Sequence, residues 1–170
     1  MTLTNLVTEI KTIFETNKSN KLDEINNKLQ EYSGDDWKTN LKYDPSRYTR
    51  NSVFKDDNCQ IMIMCWPPNY VSPIHDHNNS ECYNKLLDGS IIEKKFKIKN
   101  NDFTLLEESK IEKNDIIRIN DEIGLHQIFN LDSKKYAVTL HLYVPAYDST
   151  FIYKKESCNI KKIKVNLSTE

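Results

Sequence analysis

The four histidines of the chain fall in three short patterns. They are His75-Asp76-His77 with Cys82 following, Gly124-Leu125-His126 with Asn130 following, and Thr139-Leu140-His141-Leu142-Tyr143. A strand points residues i and i+2 to the same face. His75 and His77 are therefore predicted to offer two imidazoles side by side, with Ile74 and Asp76 turned away, and such a pair can grip a metal ion. His126 lies far enough along the chain for several strands to intervene and return a third imidazole to the same point. Three neutral nitrogen ligands leave coordination positions open. Around the fourth histidine, Val138, Leu140, Leu142 and Val144 alternate with Thr139, His141 and Tyr143, so one strand face is apolar and the other polar.

Elements to position these residues are visible on either side of one change of period. Leu3, Leu6, Val7, Ile10, Ile13 and Phe14 recur at helical spacing, and Leu22, Ile25, Leu29 and Tyr32 repeat it before Ser33-Gly34 supplies a stop. From about Tyr48 the pattern turns to short alternating runs: 48–54, 60–66, 82–87, 90–98, 115–119, 136–145 and 160–167. Turn residues such as Asp56-Asp57-Asn58, Asp88-Gly89, Lys99-Asn100-Asn101 and Asn120-Asp121 separate them. Evenly spaced short strands predict a sandwich or barrel. The chain has only 3 glycines, so asparagine is expected at turn positions that need a left-handed backbone.

Composition excludes several functions. At 170 residues the chain fits one domain: a helical extension over 1–45 and a β-barrel over 46–170. A net charge of −1 with interspersed signs gives no field for phosphate backbones or anionic lipid, so neither nucleic acid nor membrane is an expected partner. No apolar run approaches a membrane span, and the amphipathic N-terminus does not read as a targeting segment. Cys59, Cys65, Cys82 and Cys158 show no C-x-x-C spacing, which argues against structural zinc and for reduced thiols in a cytoplasmic protein. Cys59 and Cys65 lie in phase with Ile61 and Ile63 and read as core. Lysines at 154–155 and 161–164 read as devices against edge pairing.

The run Ser72-Pro-Ile-His75-Asp-His77-Asn-Asn-Ser-Glu-Cys82 through Gly89 resembles the first cupin motif, with Cys82 where the usual acid stands. His126-Gln-Ile-Phe-Asn130 resembles the core of the second, although its usual upstream proline and glycine are displaced. With Asn120-Asp-Glu-Ile-Gly-Leu-His126 and Leu140-His-Leu-Tyr143, the segment from about Tyr48 to Asp148 is similar to the cysteine dioxygenases. That resemblance implies a small jelly-roll-like cupin barrel binding one Fe(II) through His75, His77 and His126. It implies an enzyme that oxidises L-cysteine with O2 to cysteine sulfinic acid, the first step of cysteine catabolism towards taurine and sulfate. In the family, cysteine chelates iron through sulfur and amine, and both oxygen atoms end on sulfur. Most non-haem iron oxygenases use two histidines and a carboxylate; here Cys82 is expected beside the metal, not on it, and the substrate thiolate restores the missing negative charge.

The resemblance also assigns the surroundings. In Tyr48-Thr49-Arg50-Asn51, Arg50 is the expected clamp for the substrate carboxylate, because a guanidinium presents a planar pair of donors; Tyr48 supports it. Tyr143 is placed near oxygen and the carboxylate, His141 hydrogen-bonds its phenol, and Thr139 orients His141. Cys82 is expected to form a thioether with Tyr143, and Val144-Pro145 to be a cis bond. Trp66 matches a family tryptophan and is read as core. Two rivals remain: a dioxygenase of another small thiol such as 3-mercaptopropionate, against which Arg50 argues, and a non-catalytic metal-binding cupin, against which the Tyr143 and Cys82 pair argues. A monomer is expected.

Overall fold

In the computed structural model, which describes residues 1–16 and 19–167, two helices precede a β-rich body. Helix α1 (Leu3–Glu15) buries Leu3, Leu6, Ile10 and Ile13, and the Thr2 side chain caps it by accepting from the Asn5 N–H. Helix α2 (Lys21–Glu31) buries Ile25 and Leu29 and ends before Ser33-Gly34, as the stop signal predicts. A turn of 3-10 helix follows over Asp36–Asn40.

The strands in chain order are β1 (Thr49–Lys55), β2 (Gln60–Trp66), β3 (Tyr70–Val71), β4 (Ile74–His75), β5 (Glu81–Asp88) and β6 (Ile91–Lys99), then β7 (Asp102–Ile111), β8 (Ile116–Ile119), β9 (Leu125–Asn130), β10 (Ala137–Val144), β11 (Ser149–Glu156) and β12 (Asn159–Asn166). One antiparallel sheet runs β1-β2-β10-β5-β8; the other runs β12-β11-β4-β9-β6-β7, with β3 on β9. Met62, Met64, Leu86 and Ile119 of the first sheet meet Ile91, Ile111 and Ile128 of the second in one core between them. The outer face of the first sheet, with Ile61, Ile63, Tyr83, Leu140 and Leu142, is covered by the two helices. The hydrogen-bonded ladders stay within each sheet. The expected barrel is thus a jelly-roll-like pair of packed sheets and not a closed cylinder.

Alternation along β5 and β10 divides labour. Tyr83 and Leu87 join Leu140 and Leu142 beneath the helices, whereas Cys82, Leu86 and Tyr143 face the inner core. Lys85 is also on the helix side. Its Nζ donates to the backbone carbonyls of Leu29 (2.8 Å), Gln30 (3.2 Å) and Tyr32 (2.6 Å), satisfying the C-terminal end of α2 from the sheet below.

Turn chemistry follows the expectation. Asn69, Asn78, Asn79, Asn100, Asn101 and Asn114 all have positive φ, the conformation in which asparagine is least penalised. Gly124 matters most for the site: it has a φ of 147°, and a Cβ on it would lie 2.4 Å from the Phe96 carbonyl oxygen. Its missing side chain lets the start of β9 close on β6, which sets the register that presents His126. The Val144-Pro145 bond is cis.

Candidate metal centre and active site

His75 ends β4 and pairs with His126 of β9. His77 lies past the end of that strand, so the pair is not a simple shared strand face as the i, i+2 spacing predicts. Side-chain hydrogen bonds hold it instead. Asp121 accepts from the backbone N–H groups of His77 and Asn79, each at 2.7 Å. Asp76 is turned away, as expected, and fastens the intervening backbone to β11: it accepts from Thr150 Oγ1 (3.0 Å), the Phe151 N–H (3.0 Å) and the Tyr153 hydroxyl (2.8 Å).

The outcome is a three-histidine metal-binding site. One ring nitrogen from each of His75, His77 and His126 lies within 4.8 Å of the others, and among the described residues no other such cluster occurs. His75 Nδ1 bonds the Pro73 carbonyl at 3.0 Å and His126 Nδ1 bonds Glu93 Oε1 at 2.7 Å. A carbonyl can only accept, and so can Glu93 when ionised, so both Nδ1 atoms then carry the proton. The two Nε2 lone pairs face each other at 3.1 Å, an arrangement that calls for a cation between them. Two imidazole nitrogens this close would both reach a single ion at ordinary metal–nitrogen distances of about 2.0–2.1 Å. His77 Nδ1 is buried without a hydrogen-bond partner. Burial lowers the pKa of all three rings, and repulsion from neighbouring histidines holds His77 and His126 well below the ordinary value. Neutral imidazoles are what a metal requires. Glu93 is pushed up to about 7 by burial, against the opposing pull of Lys95.

The polar face of β10 lies inward and buried. Trp66 Nε1 donates to Thr139 Oγ1 (2.8 Å), Thr139 Oγ1 bonds His141 Nε2 (2.7 Å), and His141 Nδ1 bonds the Tyr143 hydroxyl (3.0 Å). Thr139 accepts from Trp66 and still has its own proton to donate to Nε2, which leaves the His141 proton on Nδ1. In that tautomer His141 Nδ1–H donates to the phenol oxygen, and the phenol also hydrogen-bonds within a cluster of Arg50, Cys82 and Tyr147 at the cavity. Burial, then Arg50, keeps His141 neutral, while burial, then Cys82, raises Tyr143. Cys82 is outside the metal cluster. Its thiol donates to Asn84 Oδ1 (3.2 Å) and lies 4.0 Å from His141 Nδ1, and burial, then Glu93, holds its pKa well above the ordinary value.

Histidines, β10 residues and Arg50 line one cavity of about 130 Å³. Arg50 is 8% exposed, and its Nε is buried without a partner. Its Nη2 meets the Met62 sulfur at 3.2 Å, its guanidinium carbon lies 5.6 Å from the Tyr143 ring centroid, and it hydrogen-bonds the Tyr143 side chain. A buried cation without a carboxylate is costly, and here it faces a cavity. Tyr48 borders the same cavity, stacked on Trp66 at 5.0 Å.

The structure thus gathers His75, His77, His126, His141, Tyr143, Arg50 and Tyr48 around one cavity, with Thr139 and Cys82 beside His141, and adds others. Trp66 is more than core, since it orients Thr139 and Tyr48. Tyr147 lines the cavity with its ring edge-on to Tyr143 at 4.9 Å; nothing in its sequence context marked it. Glu93 had a legible signal, an acid in phase with Ile91 on an alternating strand.

Residues 1–156 match the family model described as cysteine dioxygenase type I. A cysteine dioxygenase type 1 from Homo sapiens is 31% identical over 99% of this chain and 87% of its own. One from Danio rerio is 32% identical over 96% of this chain and 85% of its own. Among solved structures, a Thermus thermophilus protein superposes with a TM-score of 0.54 at 17% identity, covering 67% of this chain and 98% of its own. A Klebsiella pneumoniae protein with a double-stranded β-helix domain gives 0.51 at 12%, covering 64% and 80%. These two likenesses establish the fold.

Proposed function

The chain belongs to the cysteine dioxygenase type I family, and from that premise we propose that it binds one Fe(II) through His75, His77 and His126 and oxidises L-cysteine to cysteine sulfinic acid. It is a thiol dioxygenase acting on a small-molecule thiol. When bound, iron supplies the redox-active centre at which thiolate and dioxygen meet, and both oxygen atoms are transferred to sulfur.

One observation carries the choice of substrate: the buried guanidinium of Arg50, whose Nε has no partner, shares a cavity with the three histidines. A ligand whose sulfur lies at the histidines can place a carboxylate against Arg50, which presents parallel donors to it. Tyr48 packs beside the clamp, and Tyr143 lines the same cavity with its hydroxyl available to the carboxylate or to oxygen. His141 and Thr139 hold that phenol in place, as geometry-dependent catalysis requires. Cys82 is a neutral thiol next to the site and, in this reading, the partner of Tyr143 in a thioether.

The chain is further read as one domain, its helices sharing a core with the first sheet, and as a monomer. A cytoplasmic setting accords with the free thiol of exposed Cys158.

The test is anaerobic reconstitution of apo-protein with Fe(II), followed by oxygen uptake with L-cysteine, cysteamine and 3-mercaptopropionate. About one iron per chain and a strong preference for cysteine are expected; His75→Ala, His77→Ala and His126→Ala should each lose metal and turnover. Affinity order makes iron a weak competitor against zinc, nickel or copper, so reconstitution controls for ions acquired on expression. Full activity in rigorously iron-free protein would overturn the assignment, and a preference for 3-mercaptopropionate would favour the rival substrate.

A further inference from the structure

The ligand set is neutral, because Cys82 occupies the position where related metal sites carry an acid. An acid nevertheless reaches the centre through His126. Glu93 of β6 is paired with Ile128 of β9, so it lies diagonal to His126 across that ladder, within side-chain reach. It accepts at 2.7 Å from His126 Nδ1 and is 1% exposed. Its second oxygen accepts no hydrogen bond and sits 3.5 Å from Lys95 Nζ, which in turn pairs with surface Glu107 at 2.9 Å. Burying a carboxyl is costly even beside an ammonium, and a position in phase with Ile91 and opposite Ile128 would otherwise suit an aliphatic side chain. The geometry pays that cost at one ring nitrogen of one metal ligand.

We propose that Glu93 is a positioning residue for the metal centre: it fixes His126 in the tautomer that turns Nε2 to the ion, and supplies through the imidazole the negative charge the three histidines lack. The proposal rests on the reading of His75, His77 and His126 as the ferrous site. A carboxylate behind a ligating histidine orients the ring and raises its basicity, so the acid missing from the ligand set acts here from behind one of the ligands. Lys95 and Glu107 extend the contact to the surface.

The test compares apo wild type, Glu93→Gln and Glu93→Met, titrated with ferrous iron alone under nitrogen. Gln keeps an acceptor and removes the charge, whereas Met removes both. Iron affinity should fall by about 10-fold in Glu93→Gln and by up to about 100-fold in Glu93→Met. Thermal unfolding of the apo forms separates metal loss from misfolding. Binding within twofold of wild type in a folded variant overturns the role of Glu93 while leaving the three-histidine site standing. Wild type that takes up no ferrous iron overturns the site itself. Should Glu93→Met fail to fold, nitrogen-15 imidazole spectra of zinc-loaded wild type decide: a protonated His126 Nδ1 is expected, and an unprotonated one overturns the proposal.

Discussion

Cys82 and Tyr143 stand directly opposite one another in the β5–β10 ladder, both on the face that looks into the core between the sheets. Opposed residues on one face bring their Cβ atoms within about 5.5 Å, and His141 Nδ1 lies between the two groups, 4.0 Å from the sulfur and 3.0 Å from the phenol oxygen. We predict a thioether from Cys82 Sγ to the ring carbon ortho to the Tyr143 hydroxyl in part of the iron-loaded protein. The thiol hydrogen and one ring hydrogen leave with two electrons, which dioxygen takes up. A tryptic species joining both peptides, resistant to reductant and lighter than their sum by two hydrogens, is the expected product. Its fraction should rise with turnover. Cys82→Ala should abolish it yet keep iron; loss of iron would place Cys82 among the ligands.

Arg50 sets the second prediction. Arg50→Gln should raise KM for L-cysteine far more than for cysteamine, which has no carboxylate. Losing one charge-assisted carboxylate pair costs roughly 1.5 to 3 kcal/mol, about one to two decades in kcat/KM. Equal losses on both thiols would mean that Arg50 supports the fold, for example through its contacts with Met62 and Tyr143, and not the substrate.

A third prediction concerns the join between helices and sheet. Lys85→Met removes the donor to three carbonyls at the end of α2 and leaves them facing an apolar side chain. Each bond to a charged group contributes about 1.5 to 3 kcal/mol, offset by the cost of burying the ammonium. A net loss on the order of 2 to 4 kcal/mol is expected in urea unfolding, with iron content unchanged. A loss of iron alongside would show that the helical layer also shapes the site.

What the sequence revealed and concealed follows from where each residue meets water. Strand β2 was legible to its ends because every residue from Gln60 to Trp66 is buried. The expected 136–145 run was close to β10 because its apolar and polar residues alternate. Strand β7, at a sheet edge, was missed: Phe103-Thr104-Leu105-Leu106-Glu107 carries no alternation since both faces are largely solvated. Strand β9 was seen as a histidine motif and not as a strand, and β4, read as a strand through both His75 and His77, has only two residues, too few for any period. The metal ligands were recoverable from residue type and spacing; for Glu93 the local pattern shows only an acid in phase with Ile91, while its approach to His126 depends on the β6–β9 register, a long-range pairing.

The last prediction is the pH dependence of the His141 network. His141 is buried between Thr139 and Tyr143, and desolvation, then Arg50, holds its pKa well below the 6.5 of an unfolded chain. A depressed folded-state pKa means that the unfolded chain binds the proton more readily. The contribution is therefore fully present above pH 6.5 and is lost as pH falls below it, with a slope approaching about 1.4 kcal/mol per pH unit. Comparison with His141→Gln, which cannot titrate, isolates this from the other buried histidines. In urea unfolding the stability advantage of wild type over the variant should be constant from pH 8 to 7 and shrink steadily towards pH 5. An advantage that grew on acidification would mean that His141 is a folded-state cation. A cationic ring donates from both nitrogens, so the Thr139 oxygen would accept from His141 as well as from Trp66 while Nδ1–H still donated to Tyr143.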